Sequence, residues 1–194
     1  MNIGIYLYDQ AEILDFAGPF EVFATATRIC EDRAPFNPFL IGATRDAVTA
    51  RAGFRVVPAF GFDNHPAIDV LIVPGGVHIA EMGKPHVIDW IRKQAQKASL
   101  VASVCTGAFL LAQAKVLEKH KATTHWEDIA DLRRMFPHLD VVADVRWVDE
   151  GRVVTSGGIS AGIDMSLYLV GRLHSRTLAH RTARQMAFSW TATP

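Results

Sequence analysis

Cys105 follows an apolar run, Leu100-Val101-Ala102-Ser103-Val104, and precedes another that starts at Ala108. Ser103 and Gly107 flank it at two residues on either side. Small neighbours are what a sharp strand-to-helix bend requires if a nucleophile is to be pushed out at a sheet's edge. Unpaired N–H groups at a helix start favour thiolate over thiol, so the expectation is an ionised Cys105 that attacks electrophilic carbon. Gly75-Gly76 close a different apolar run, Asp69 to Val73. The Gly76 N–H and the Thr106 N–H are the expected oxyanion donors, beside Gly75. Asp15 opens the first helix. It reads either as that helix's N-cap or as a carboxyl that faces Cys105 and moves a proton. His125, in Thr123-Thr124-His125-Trp126, is an accessory base if its loop reaches the same edge, and the pocket lining is expected near Ile79, His125, Trp126 and Ile159. His78 and His86 are weaker candidates, and Cys30 reads as structural.

These residues need a scaffold that brings several strand ends together. Ile3 to Tyr8 is a β-rich run and Phe39 to Ile41 a second. Asp69 to Val73 and Leu100 to Val104 are each followed by helical patterns, over Pro85 to Ala98 and Ala108 to Ala114. Strand and helix alternating in this way form βαβ crossovers and a parallel sheet covered on both faces. Two hairpins are expected, one around Gly53 and one around Asp149-Glu150-Gly151. Glu127 to Met135 and Ala161 to Leu173 read as helices, Leu139 to Val142 as a strand. A last helix places Ala179, Ala183, Met186, Ala187 and Trp190 on one face. The expected architecture is an α/β three-layer sandwich, flavodoxin-like, forming a single domain over residues 1–194.

Twenty basic and twenty acidic residues cancel. Nucleic-acid-binding modules carry a basic excess, so no nucleic-acid partner is expected. Two cysteines exclude a disulfide scaffold and fit a reducing cytoplasm. No apolar run approaches the roughly 18 residues of a membrane span, and the N-terminus lacks the basic and apolar blocks of a secretory signal. His-Glu-x-x-His, Cys-x-x-Cys and Gly-rich nucleotide loops are absent, so no metal and no cofactor are expected.

Ala102 to Ala112, Ala122 to Trp126, Leu14 to Phe23, Val73 to Gly76 and Thr155 to Asp164 together resemble the ThiJ/PfpI superfamily. The resemblance implies the class I glutamine amidotransferase-like fold and a homodimer. It is strongest to two branches. One is isonitrile hydratase, which adds water to an isonitrile carbon; its motifs match Asp15, Cys105 and Thr106, implying catalytic roles for all three. The other is the ligand domain of AraC-type transcription regulators, which implies a small-molecule or redox sensor. Thr106 stands where family proteases carry His, which argues against proteolysis. A glyoxalase or deglycase acting on small α-oxoaldehydes ranks lower, because Asp15 stands in for the usual Glu.

Overall fold

The structure is a computed structural model describing residues 1–31 and 34–193. In chain order the elements are β1 (Asn2–Tyr6), α1 (Ile13–Ile29), β2 (Asn37–Ile41), β3 (Val48–Thr49), β4 (Arg55–Val56), β5 (Val70–Val73), α2 (Ile79–Met82), α3 (Pro85–Lys97), β6 (Leu100–Val104), α4 (Gly107–Gln113), β7 (Lys121–Ala122), α5 (Ile129–Met135), β8 (Asp140–Val141), β9 (Trp147–Glu150), β10 (Val153–Ser156), α6 (Ser160–Leu173) and α7 (Arg176–Gln185). The central sheet runs β2-β1-β5-β6-β10-β9. Its first five strands are parallel, and β9 is an antiparallel edge. Helices cover both faces, as the alternating pattern requires.

Register explains why chemistry gathers at one edge. Val73 of β5 lies opposite Ser103 of β6, and Ser156 of β10 opposite Val104. Three parallel strands therefore end level, and the residues after them emerge side by side. Ligands in open α/β sheets collect at such carboxyl ends. β5 and β6 are buried along their whole lengths, which explains their continuous apolar sequences.

Several local expectations shift. Asp15 is not a cap: α1 begins at Ile13, Glu12 is the N-cap without a side-chain bond, and Asp15 lies in the first turn. Pro19 sits inside α1. The strand expected over Leu139 to Val142 shortens to β8, which pairs with β7 outside the main sheet. α7 ends at Gln185, and Ala187 turns to φ 50°. Trp190 lies beyond that break, with Nε1 donating to Asp164 O at 3.2 Å. Trp147 is core, its ring tilted against Tyr168 with centroids 5.4 Å apart. Short α2 carried no readable period, because four residues cannot display one.

Gly107 is where α4 meets the sheet. A Cβ there would lie 2.1 Å from Val73 O, a backbone atom that cannot step aside. Gly107→Ala should therefore cost more than about 3 kcal/mol, among the larger single-residue effects; urea denaturation measures it.

Candidate functional site

Four loops at the carboxyl edge meet around Cys105. Cys105 follows β6 with φ 56°, in the left-handed region that non-glycine residues avoid. Its neighbours hold that conformation. The Cys105 N–H donates to Ser156 O and Gly157 O, at 3.1 and 3.2 Å, and its carbonyl accepts from Thr124 Oγ1 at 2.9 Å. Ile159, at φ 57°, is a second strained residue at the same edge, and a β-branched one. Strain at two such positions persists only where surrounding bonds over-determine it, which is common at functional sites.

Ile159 is bent so because its N–H points at Asp15. That N–H reaches Asp15 Oδ1 at 3.0 Å, and the Gly75 N–H reaches Oδ2 at 3.2 Å. Asp15 is fully buried. Burial lifts its pKa to about 7, while the two N–H groups and a polar contact with the Cys105 thiol pull the other way. The thiol is raised too, by burial first and by the Asp15 charge second; the Thr106 N–H directed at the sulfur opposes this. Cys105 is therefore not the standing thiolate its position implied. α4 is only seven residues long, and its start does not outweigh burial beside a carboxyl. Above about pH 7 the carboxyl is ionised beside a thiol that keeps its proton.

The expected oxyanion pair is altered. Gly76 N–H donates to Thr106 Oγ1 at 2.9 Å, and that hydroxyl donates back to Gly76 O at 3.0 Å. Gly76 N–H is thus spent on locking two strand-end loops together, and the Thr106 hydroxyl proton is not free to orient water. Gly75 N–H is spent on Asp15. The Thr106 N–H, at the sulfur, is the remaining donor of the expected set.

His125 does reach the edge. It lines the same cavity of about 400 Å³ as Cys105, Thr106, Gly76, Ile79 and Ile159. A Cβ on Gly158 would lie 2.3 Å from His125 Cδ2 and 3.2 Å from Cys105 Sγ, so a glycine lets ring and sulfur share one space. His125 Nδ1 accepts the Glu127 N–H at 3.4 Å, leaving Nε2 to carry the proton when the ring is neutral. Trp126 is 74% exposed and lies outside the cavity, contrary to expectation. His86 and Cys30 also lie outside; Cys30 Sγ is 3.8 Å from His174 Nε2.

Sequence reading overlooked Glu12, Arg51 and Asp128, which line the cavity, and undervalued His78. Asp128 had a usable signal, three residues after His125 at a helix start. Arg51 had none: it arrives with the β3–β4 hairpin and pairs with Glu12 at 3.4 Å. Among the described residues no cluster of His, Cys, Asp or Glu could hold a metal, and no helix is long and apolar enough to cross a membrane.

Comparison with known proteins covers nearly the whole chain. Residues 1–172 match the DJ-1/PfpI family. The chain belongs to that family. It is 33% identical to isonitrile hydratase from Pseudomonas putida over 97% of this chain and 79% of that protein. It is 31% identical to the HTH-type transcriptional regulator GbdR from Pseudomonas aeruginosa over 92% of this chain, and spans about half of the regulator (48%). A ThiJ/PfpI family protein from Pseudomonas syringae superposes with a TM-score of 0.87 at 25% identity, covering 97% of this chain and 75% of that one. The expected family and class I glutamine amidotransferase-like fold are thereby shown.

Two outcomes test this geometry. Gly158→Ala should keep the fold and displace the His125 ring, visible as a shift of its imidazole carbon-bound proton signals. The parent should lose stability relative to Asp15→Asn as pH rises from about 4 to about 7. A carboxyl with a raised folded pKa binds more protons folded than unfolded across that window, so folding weakens as pH climbs through it. Denaturant titrations of both chains at several pH values measure the difference.

Proposed function

We propose that the chain is a cysteine-dependent hydratase converting an isonitrile and water to an N-substituted formamide. The buried Cys105–Asp15 pair beside a cavity is the observation that carries this reading. The similarity to isonitrile hydratase supports it.

With Asp15 ionised, the carboxylate takes the Cys105 proton as sulfur bonds to the isonitrile carbon. Asp15 then delivers that proton to the same carbon, giving a thioimidate, R–N=CH–S. Water adds to this carbon, and the one proton it loses passes through Asp15 to the nitrogen, which leaves Asp15 ionised again. The tetrahedral adduct collapses: the C–S bond breaks, the carbonyl forms, and the hydroxyl proton passes back to sulfur through the carboxyl. The net change is the addition of one water, and the thiol is restored. Splitting one hard step in two is what a covalent adduct achieves. A positioned proton carrier contributes about 10²–10⁴-fold. His125 Nε2–H serves the substrate nitrogen, and the Thr106 N–H steadies sulfur as it acquires and sheds charge.

A second reading has its own support: a ligand-sensing domain that binds without turnover. It draws on the similarity to half of a transcription regulator and on a thiol held protonated at rest. A homodimer, and a chain that works in the cytoplasm, belong to both readings.

Cys105→Ala should abolish formamide production from an alkyl isonitrile, followed by chromatography, with the fold retained. Full activity in that variant would end the mechanism. Stoichiometric ligand binding without product would favour the sensor. The parent's kcat/KM should rise with pH and level off above about 7, because below that value Asp15 is protonated and cannot accept the thiol proton.

A further inference from the structure

His78 carries a polar atom without a purpose in the steps above. Its ring is 8% exposed, lines the Cys105 cavity, and packs on Phe109 with centroids 4.4 Å apart. Nδ1 faces Gly76 O at 3.4 Å and so donates. Nε2 is then an acceptor in the neutral ring, and it is buried with no hydrogen-bond partner among the described residues. Burial holds the ring neutral. An acceptor sealed from water and left unmade costs about 1–3 kcal/mol, a penalty that a fold keeps where a ligand removes it.

The rest of the lining is biased the same way. Glu12, Glu127 and Asp128 bring three carboxyl groups to one cavity. The one guanidinium, Arg51, is engaged by Glu12. The Gly76 N–H and the Thr106 hydroxyl are spent on each other, and the Ile159 N–H on Asp15. Asp128 Oδ2 and Glu127 Oε2 each lie 3.6 Å from His125 Nδ1, which is an acceptor when the ring is neutral and does not satisfy them. The cavity thus offers acceptors and negative charge, and few free donors. Walls of low polarizability focus such a field.

We infer that this site takes a ligand whose arm beyond the reacting carbon is a cation or an N–H donor, an ammonium above all, received by His78 Nε2, Asp128 and Glu127. Carboxylate-bearing ligands are excluded by the same groups. The arm approaches from the Cys105 cavity, which His78 lines. The inference rests on the Cys105 cavity being the ligand site, and names the class of substrate within it.

Its test needs no turnover. In a Cys30→Ser background Cys105 is the sole cysteine. Methanethiosulfonates carrying 2-aminoethyl, 2-(trimethylammonio)ethyl or 2-sulfonatoethyl arms each form a disulfide with its sulfur and expel methanesulfinate. Rates are read by mass spectrometry and divided by those of each reagent with 2-mercaptoethanol. Both cationic arms should react at least about tenfold faster than the sulfonate on this scale. Asp128→Asn and Glu127→Gln together should bring that ratio towards one. His78→Leu should slow the primary ammonium arm and spare the quaternary arm, which has no N–H to donate; His78→Gln, which restores an acceptor, should recover the rate. A sulfonate rate within about threefold of the cationic rates overturns the inference, as does a His78→Leu chain that treats the two cationic arms as the parent does. Failure to hydrate isonitriles leaves these rates untouched, so the two readings fall separately.

Discussion

A single carboxyl inserted beneath a cysteine organises this molecule. Asp15 has no water to ionise into, and two backbone N–H groups from separate loops are turned towards it instead. One belongs to Gly75 after β5, the other to Ile159 at the start of α6. Meeting that demand bends Ile159 into a conformation a β-branched residue resists. It also fixes α1 against the ends of β5 and β10. Removing the carboxyl's partners would leave a buried charge unsolvated, which few folds tolerate. The strained elbow at Cys105 is held in part by the β10–α6 loop that also serves Asp15.

Burial gives this pair its chemistry. In water a thiol and a carboxyl titrate far apart. Here desolvation pushes both upward, and Asp15 arrives near neutrality. The thiol keeps its proton while the carboxyl titrates near 7, so Asp15 is placed to accept a proton and return it as sulfur bonds and leaves. The short α4 contributes little beside this effect. The site rests as a thiol beside a carboxyl able to take its proton, rather than as a permanent thiolate, and a resting thiol is also less exposed to stray oxidation than an anion would be.

The cavity outside the pair is assembled from pieces distant in sequence. Glu12 and Arg51 come from the first and second crossovers, His78 from the loop after β5, and His125 and Asp128 from the turn before α5. Gly158 makes room for His125 beside the sulfur. Acceptors outnumber free donors among these groups, so the pocket's electrical character belongs to the assembly rather than to any one motif.

Much was legible in the chain. Continuous apolar runs at Val70 to Val73 and Leu100 to Val104 announce strands buried on both faces, because only such strands need apolar side chains at every position. Small residues around Cys105 announce the bend, since larger ones would strike β5. Period and sterics are local, and sequence displays them. The direction of the Asp15 carboxyl, the loss of the Gly76 N–H to Thr106, the end of α7 before Trp190 and the protonation of Cys105 were not legible. Each depends on which backbone group from another strand arrives nearby and on how completely water is shut out. Those are properties of packing in three dimensions, and only the folded chain decides them.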